Sequence, residues 1–263
     1  MEEEFLKFAI ETGQEAGERL LSSFREGEPR LRGTGKEVKS VYDEVADKII
    51  RKAIEKKYPE HSYLTEEYGL VKKKSDYLWI IDPLDGTANF ENHNPFFSVS
   101  IALWQKGKPI LGVIEAPFLK ERFVAVSGAG ARHEDFFIGV EKEARVSTIQ
   151  DLKKSYFASC EGGEKDKGRV ASLFQEIYSQ AKDARKLGSA SLELAWVGIG
   201  RLEGYLTTKI PLWDIAAGTL FVKEAGGEIL HFDGTPYNWE EFQPEGNFDI
   251  LVTNGKIKIN LKK

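Results

Sequence analysis

The sequence contains one cysteine, Cys160, and one methionine among 263 residues. A single cysteine excludes a disulfide within the chain and is typical of proteins from a reducing cytoplasm. No apolar stretch reaches the roughly 18 residues that a membrane-spanning helix requires. The first residues, MEEEFLKFAIETG, are acidic and amphipathic, unlike a signal peptide. We therefore expect a cytoplasmic protein with no membrane partner.

The chain also lacks an excess of positive charge, since its formal net charge is -5. A negative chain does not have the charge of a general nucleic-acid binder, so we expect no nucleic-acid partner. An anionic substrate is still compatible with this charge, because bound cations can reverse the field locally. Zinc is not expected, because no ligand spacing is found among the histidines, which are His61, His93, His133 and His231.

The chain has enough apolar residues for a large core, since 41% of its residues are hydrophobic and 30% are charged. Residues 3–25 carry apolar side chains on one helical face, and a second helix is predicted to begin near Tyr42. Residues 98–140 read as strands separated by turns, which predicts an antiparallel sheet. Strands and helices then alternate, which predicts a mixed sheet covered by helices. We predict an α+β lobe over residues 1–145 and an α/β lobe over residues 146–263.

Acidic residues stand where predicted elements begin or end, namely at Asp43, Glu66, Asp82, Asp85 and Asp214. Strand ends commonly form clefts that carry catalytic groups, so these side chains can converge. Several buried carboxylates without a cation would repel one another. Mg²⁺ prefers oxygen ligands and usually takes only a few carboxylates. The pattern therefore predicts a magnesium site.

The segment WIIDPLDGTANF, residues 79–90, combines two of these acids with a turn. Pro83 restricts the backbone so that Asp82 and Asp85 can turn the same way, and the Leu84 carbonyl can point into the site. Gly86 allows a phosphate to approach the backbone, and the residue after it can begin a short helix with free N–H groups. The alternative is an ordinary turn, since Pro, Asp and Gly are turn residues.

A second alternative is the nucleophile loop of haloacid-dehalogenase-like phosphatases, which the Asp-Gly-Thr sequence resembles. Those enzymes use Asp-x-Asp-Gly-Thr, whereas two residues separate Asp82 from Asp85 here. The extra residue changes the direction of the second carboxylate and argues against a phospho-enzyme. No Cys–His pair, serine elbow or P-loop is apparent, and GAGARHE is better interpreted as a hairpin turn. Direct attack by water, assisted by metal ions, is therefore favoured.

Three segments in the same order resemble the inositol monophosphatase family of Mg²⁺-dependent, lithium-sensitive phosphatases. WIIDPLDGTANF matches the family signature W-x-x-D-P-[IL]-D-G-T-x-N-F throughout. LTEEYG resembles the G-E-E segment, with Thr65 in place of the usual glycine, and LWDIAAGTLFVKEAGG resembles the W-D-x-A-A-G…E-A-G-G helix. The resemblance covers nearly the whole chain. It implies a layered α-β-α-β-α sandwich of the sugar phosphatase type.

The resemblance also implies a set of metal ligands and phosphate contacts. The first Mg²⁺ would be held by Glu66, Asp82 and the Leu84 carbonyl, and the second by Asp82, Asp85 and Asp214. A third, weaker ion would lie near Glu66, which gives two or three per active site. Gly86 and Thr87 would receive the phosphate, and the substrate would also contact Asp85, Asp214 and the GSA segment, which comprises Gly188, Ser189 and Ala190.

The water-orienting pair is less directly matched. Asp43 and Thr87 fit the acid and the threonine that orient the attacking water in the family, which with Glu66 completes the implied catalytic set. The surrounding sequence, EVKSVYDEVAD, departs from the family pattern D-x-V-T-x-x-D. Asp47, one helical turn later, is the alternative to Asp43, and without a catalytic role it would lie on a solvated helix face. Asp43 is the better match.

Substrate choice is where the sequence departs most from the family. Members that favour inositol phosphate carry a glutamate seven residues before the Asp of the W-D motif, and Thr207 occupies that position here. Thr207 could still bond a sugar hydroxyl. The loop ENHNP also differs from the usual V-H-G-x-P. Inositol 1-phosphate is the favoured substrate, fructose 1,6-bisphosphate or dual specificity is the alternative, and a 3′(2′),5′-bisphosphate nucleotide is third.

A protein-interaction role is a hypothesis of another class. Some bacterial relatives bind the transcription machinery, so the chain could act chiefly as an interaction module. The complete set of acidic ligands argues against a purely structural role. Family members are commonly homodimers, and the resemblance implies a homodimer here, although no segment of the sequence indicates an interface.

Overall fold

The structure is a computed structural model and describes residues 2–26, 41–160, 167–259 and 261. Its helices are α1 (Glu2–Glu26), α2 (Val41–Lys57), α3 (Thr87–Glu91), α4 (Lys167–Tyr178), α5 (Ala190–Gly198) and α6 (Leu212–Glu224). Its strands are β1 (Ser62–Thr65), β2 (Gly69–Val71), β3 (Tyr77–Asp85), β4 (Ser98–Gln105), β5 (Lys108–Ala116), β6 (Glu121–Val126), β7 (Gly130–Asp135), β8 (Val140–Glu143), β9 (Tyr156–Ser159), β10 (Asp183–Arg185), β11 (Gly204–Pro211), β12 (Glu228–Leu230) and β13 (Asn247–Thr253).

Eight strands form the first sheet, in the order β2-β1-β3-β4-β5-β6-β7-β8. Neighbouring strands are antiparallel from β3 to β8, as the alternation of short apolar runs and turns predicts. One pair departs from the prediction, because β1 runs parallel to β3. The hairpin β1–β2 turns away from the sheet centre, which leaves the other edge of β1 for β3. The first sheet is therefore mostly antiparallel and includes one parallel pair.

Five strands form the second sheet, in the order β10-β9-β11-β13-β12. The pairs β9·β10 and β9·β11 are parallel, and β11·β13 and β12·β13 are antiparallel. The mixed sheet predicted for the second half of the chain is confirmed. Parallel neighbours need a crossover, and α4 lies between β9 and β10 along the chain.

The helices separate and cover the two sheets. α1 and α2 pack on one face of the first sheet, α5 and α6 lie between the sheets, and α4 covers the outer face of the second. Side chains of β3 alternate accordingly, with Trp79 and Ile81 in the core under α1 and α2, and Ile80 in the core between the sheets. The predicted α-β-α-β-α layering is confirmed. Because α5 and α6 contact both sheets, the division into lobes at residue 145 stays a prediction.

Close contact between α6 and β5 depends on a glycine. A Cβ on Gly112 would lie 2.9 Å from the Cα of Ala217, closer than side-chain carbons approach backbone atoms. Gly112 thus lets α6 lie directly on the strand at Ala217. Among the described residues, none of the helices is long and apolar enough to cross a membrane.

Candidate metal centre

The parallel pair of strands brings Glu66 and Asp82 to the same end of the first sheet. Thr65, the last residue of β1, is in register with Ile81 of β3, so the residues that follow each of them are neighbours. In an antiparallel pair, the carboxyl ends of the two strands would lie at opposite ends of the sheet. The parallel pairing of β1 with β3, which departs from the predicted antiparallel sheet, therefore joins these two acids.

A β-bulge places Asp82 and Asp85 on one face of β3. The strand does not end at Asp82, as the sequence suggested, but continues to Asp85 with a register shift between them. Asp82 pairs with Ser100 and Asp85 with Ser98, so two residues of β3 oppose one residue of β4. Residues three apart in a regular strand point to opposite faces. The extra residue of the bulge returns Asp85 to the same face as Asp82, which explains why two residues separate the aspartates in the sequence.

The bulge consists of Pro83 and Leu84. Proline is tolerated at a bulge because no ladder hydrogen bond from its nitrogen is required there. The Leu84 N–H donates to Asp82 Oδ1 at 3.0 Å, which fixes the carboxylate against its own backbone. What the sequence suggested as a turn is thus a bulge followed by Gly86, whose φ is +94°.

Gly86 is required at its position for two reasons. Its positive φ lies in the region that side-chain-bearing residues rarely adopt. A Cβ would also lie 3.0 Å from the Phe96 carbonyl oxygen and 3.2 Å from the Gly188 carbonyl oxygen. The signature segment therefore packs directly against the segment that contains Gly188, and α3 begins immediately at Thr87.

Asp214 completes the group from the first turn of α6, which follows β11 directly. Asp82 lies between Glu66 and Asp214 and within hydrogen-bonding reach of both carboxylates. We call Glu66, Asp82, Asp85 and Asp214 the metal-centre cluster. The structure brings together all four carboxylates that the sequence predicts as metal ligands.

The electrostatics of this cluster disfavour four negative charges. Burial, and then repulsion from Glu66, Asp85 and Asp214, raise the pKa of Asp82 well above its ordinary value. Burial and neighbouring acids likewise raise the pKa of Asp214. Glu66 is exposed, yet desolvation by the protein around it, followed by repulsion from Asp43, Glu67 and Asp85, raises its pKa to about 8.

Hydrogen bonds hold Asp85 more firmly than the other three acids. Its Oδ1 accepts the Ala190 N–H at 3.1 Å, and its Oδ2 accepts the Ser191 N–H at 2.7 Å and the Ser189 hydroxyl at 2.7 Å. These donors form the first turn of α5, whose own N-cap, Ser189, makes no side-chain cap bond. Burial raises the pKa of Asp85, and bonds from Ser189 and Ser191 oppose that rise. Asp85 therefore caps α5 from the other half of the chain.

No cation offsets the cluster in the part of the chain that the structure describes. Within residues 2–26, 41–160, 167–259 and 261, no lysine or arginine forms an ion pair with any of the four carboxylates. Asp43, Glu66 and Glu67 also offer oxygen atoms that lie within 4.8 Å of one another. The four carboxylates of the metal-centre cluster, with raised pKa values and no ion pair to lysine or arginine among the described residues, fit a divalent ion such as Mg²⁺.

Asp43 contacts Thr87 as the proposed water-orienting pair requires. Thr87 Oγ1 lies 3.0 Å from Asp43 Oδ1 and 3.0 Å from the Leu84 carbonyl oxygen. Asp47 does not lie on a solvated helix face, as its non-catalytic interpretation supposed. It is fully buried and accepts a hydrogen bond from Arg51, so it is a paired acid on the inner side of α2.

Two of the remaining predicted substrate residues, Gly188 and Thr207, bond other groups of the protein. Gly188 has φ of +86°, and its N–H donates to Glu193 Oε1 at 3.2 Å. Thr207 is fully buried, and its hydroxyl donates to the Cys160 carbonyl at 3.1 Å. Its contact with a sugar hydroxyl stays a prediction.

Two residues that the sequence did not single out shape this region. Asn89, inside the signature, donates from Nδ2 to the Phe96 carbonyl at 2.7 Å and to the Leu187 carbonyl at 2.8 Å. Glu193 accepts the Leu187 N–H at 2.7 Å, and burial raises the pKa of this carboxyl to about 8. Two features of the sequence could have indicated these residues. Glu193 is the charged residue of α5, which is otherwise mostly apolar, and Asn89 lies inside the signature segment.

The GAGA sequence between β6 and β7 is a hairpin turn, as predicted. Its Gly128 and Gly130 N–H groups each donate to the Glu224 carboxylate at 3.0 Å. Such a turn can bind an anion through its N–H groups, but here the Glu224 carboxylate of α6 already accepts their hydrogen bonds.

Comparisons with known proteins agree with this geometry. The model of the inositol monophosphatase family matches residues 1–258. The Nus factor SuhB of Pasteurella multocida is 35% identical over 237 residues, which cover 87% of this chain and 85% of the relative. The suhB structure from Bartonella henselae has 30% identity and a TM-score of 0.85, covering 96% of this chain and 94% of that one. The inositol monophosphatase of Anabaena has 31% identity and a TM-score of 0.79, covering 97% and 92%.

Sequence motifs, layered fold and family match lead to the same result. The chain belongs to the inositol monophosphatase family.

Proposed function

We propose that the protein is a Mg²⁺-dependent phosphomonoester hydrolase that acts on an inositol monophosphate. The observation that carries this proposal is the metal-centre cluster, in which four converging carboxylates have raised pKa values and no cation among the described residues. A phosphate ester is itself an anion and would be repelled by such a cluster alone. Cations in the cluster would reverse that repulsion.

The ligand set is assigned residue by residue. Glu66, Asp82 and the Leu84 carbonyl would hold one ion, and Asp82, Asp85 and Asp214 a second, with a third near Glu66. When bound, Mg²⁺ supplies Lewis-acid activation of water and neutralises charge on the phosphate oxygens. The backbone of Gly86 and Thr87, at the start of α3, would receive the phosphate.

The role of Thr87 follows from the count of protons. Its hydroxyl has one proton and two acceptors at 3.0 Å, Asp43 Oδ1 and the Leu84 carbonyl. If the Leu84 carbonyl is a metal ligand, the proton goes to Asp43. The lone pairs of Thr87 are then available to accept a hydrogen bond from the attacking water, and Asp43 holds the hydroxyl in that orientation.

Thr87→Val tests this role. We expect kcat for phosphate release to fall about 10²-fold, the usual contribution of a positioned proton acceptor, while Thr87→Ser keeps most of the activity. Thr219→Val is the control, because it makes the same substitution at a buried threonine whose hydroxyl bonds the backbone of its own helix, at Ile215 and Ala216. Equal activity of Thr87→Val and Thr219→Val would contradict the assignment.

The substrate is tested by phosphate release with Mg²⁺ over inositol phosphates, fructose 1,6-bisphosphate and 3′-phosphoadenosine 5′-phosphate. We expect the highest kcat/KM for inositol 1-phosphate and inhibition by millimolar-range lithium. The Anabaena inositol monophosphatase supports this choice. Preference for fructose 1,6-bisphosphate would favour the alternative sugar phosphatase, and no Mg²⁺-dependent release from any of them would refute the proposal.

A second proposal rests on the Pasteurella relative, whose name is Nus factor SuhB. That name supports an additional interaction with the transcription machinery. Affinity capture from the host, with RNA polymerase subunits identified by mass spectrometry, tests it, and a metal-ligand variant distinguishes binding from catalysis.

We also propose a cytoplasmic homodimer. Light scattering after size exclusion tests the homodimer.

A further inference from the structure

Two serines from different layers of the fold meet at Asp85. Ser98 begins β4 in the first sheet, and Ser191 lies in the first turn of α5. Both are fully buried, and their hydroxyl oxygens are 2.7 Å apart. Ser191 Oγ also lies 2.5 Å from Asp85 Oδ2. Neither serine belongs to the segments through which the chain resembles its family.

The direction of these hydrogen bonds follows from the number of protons. An ionised carboxylate only accepts, so the Ser191 hydroxyl donates its single proton to Asp85. The Ser98 hydroxyl has three acceptors within reach, and Ser191 Oγ at 2.7 Å is closer than Ser189 Oγ at 3.3 Å and Asp85 Oδ2 at 3.5 Å, so Ser98 donates to Ser191. Ser98 lies 3.5 Å from Asp85 Oδ2, so it acts on the aspartate through Ser191. The order is Ser98 to Ser191 to Asp85.

The two oxygens of Asp85 are consequently unequal. Oδ2 accepts three close donors, the Ser189 hydroxyl and both the N–H and the hydroxyl of Ser191. Oδ1 accepts only the Ala190 N–H, at the longer distance of 3.1 Å. A carboxylate oxygen with three donors has little lone-pair density left for a cation. Oδ1 is the oxygen that can bind a metal ion.

We propose that Ser98 and Ser191 are positioning residues that occupy Oδ2 of Asp85 and so present Oδ1 to the metal ion. The proposal rests on the proposed function only in that a divalent ion binds the metal-centre cluster. Partners that orient a metal ligand typically contribute about 10–100-fold to metal affinity. Because the two serines act in series, their effects are not additive.

The experiment measures Mn²⁺ affinity by EPR titration in the absence of substrate, for the full chain and for Ser191→Ala, Ser98→Ala and the double variant. We expect Kd to rise about 10-fold for Ser191→Ala, the lower end of the usual range, and about 3-fold for Ser98→Ala. The double variant should match Ser191→Ala. Ser191→Thr keeps the hydroxyl donor and should bind Mn²⁺ more tightly than Ser191→Ala.

Ser155→Ala is the matched control, since Ser155 is fully buried and its hydroxyl donates to the Leu152 carbonyl away from the cluster. It should bind Mn²⁺ like the wild type. Unchanged affinity in Ser191→Ala, or a Ser98→Ala effect that persists in the double variant, would overturn the proposal. Because substrate is absent, these outcomes are separate from those of the phosphate-release assay, where loss of activity in the wild type would refute the proposed function alone.

Discussion

Two buried acids at the same end of the first sheet, Asp82 and Glu121, have opposite pKa shifts, because Asp82 is surrounded by other carboxylates and Glu121 is paired with a cation. Asp82 in the metal-centre cluster and Glu121 at the start of β6 are equally deep, at 2% and 5% exposed. The pKa of Asp82 is raised well above its ordinary value. Burial would also raise the pKa of Glu121, but hydrogen bonds from His133 and Arg201 outweigh it and lower that pKa to about 2.

The positive charge at Glu121 comes from the second half of the chain. Arg201, in the connection after α5, donates to both oxygens of Glu121, and His133 Nε2 lies 3.0 Å from one of them. We call these three residues the Glu121 cluster. Glu121, His133 and Asp135 are spaced closely enough to hold a metal ion, but Arg201 already supplies the charge. Buried acids thus need a cation, and only one of the two clusters has a resident cation among the described residues.

The largest expected effect comes from Asp82→Asn, which removes the central charge of the metal-centre cluster. We expect kcat to fall by about 10³-fold, because metal ions supply several kcal/mol of transition-state stabilisation. The Asn oxygen can still accept the Leu84 N–H, so the fold is kept. In EDTA, the Tm should rise by about 2–5 °C because repulsion is relieved. Activity assays and calorimetry check both, and a lower Tm would contradict the assigned repulsion.

The opposite result is expected for Glu121→Gln. Loss of this carboxylate leaves Arg201 without its partner, but Arg201 is 39% exposed and water can solvate it, so stability should fall by about 1–2 kcal/mol, which corresponds to a Tm about 2–8 °C lower. The kcat should stay near that of the wild type, since Glu121 does not belong to the metal-centre cluster. Urea denaturation and phosphate release measure the two quantities. A large loss of kcat in the folded variant would show that the two clusters are not independent.

The smallest effect is the pH dependence of stability in EDTA. The pKa of Glu66 is about 8 in the folded protein, against 4.5 for the ordinary group, so the folded state binds more protons between these values. Stability should therefore fall as pH rises from about 4.5 to 8. Glu121, with its pKa lowered to about 2, contributes stability that is lost only as pH falls below about 4.5.

Urea midpoints from pH 5 to pH 8.5, with EDTA or with saturating Mg²⁺, separate the two contributions. Mg²⁺ at 100 times its Kd should add about 2.7 kcal/mol and flatten the decline. Asp82→Asn should show a smaller decline in EDTA and little response to Mg²⁺. A decline that is identical with and without Mg²⁺ would place its origin outside the metal-centre cluster.

The sequence predicted more of the fold than of the contacts within the site. Alternation of apolar residues with turns indicated β3 to β6, and the pattern of the second half indicated a mixed sheet, both of which the structure confirms. The parallel pairing of β1 with β3 was missed, because two strands near in sequence more often form antiparallel neighbours. Asp47 was misplaced because its helical position alone did not reveal that Arg51 neutralises it inside the protein.

The sequence alone determined which acids are available and the residue spacing between Asp82 and Asp85. Those properties are local, since a proline and a glycine within six residues are enough to constrain the backbone around two carboxylates. Only the tertiary structure decided that Glu66 and Asp214 join them, and that Ser191, 106 residues from Asp85, donates to it. Strand register, crossover and helix packing set such distances, and no spacing along the chain encodes them. For the same reason, only the fold shows that Glu121 has Arg201 as a neighbour 80 residues away.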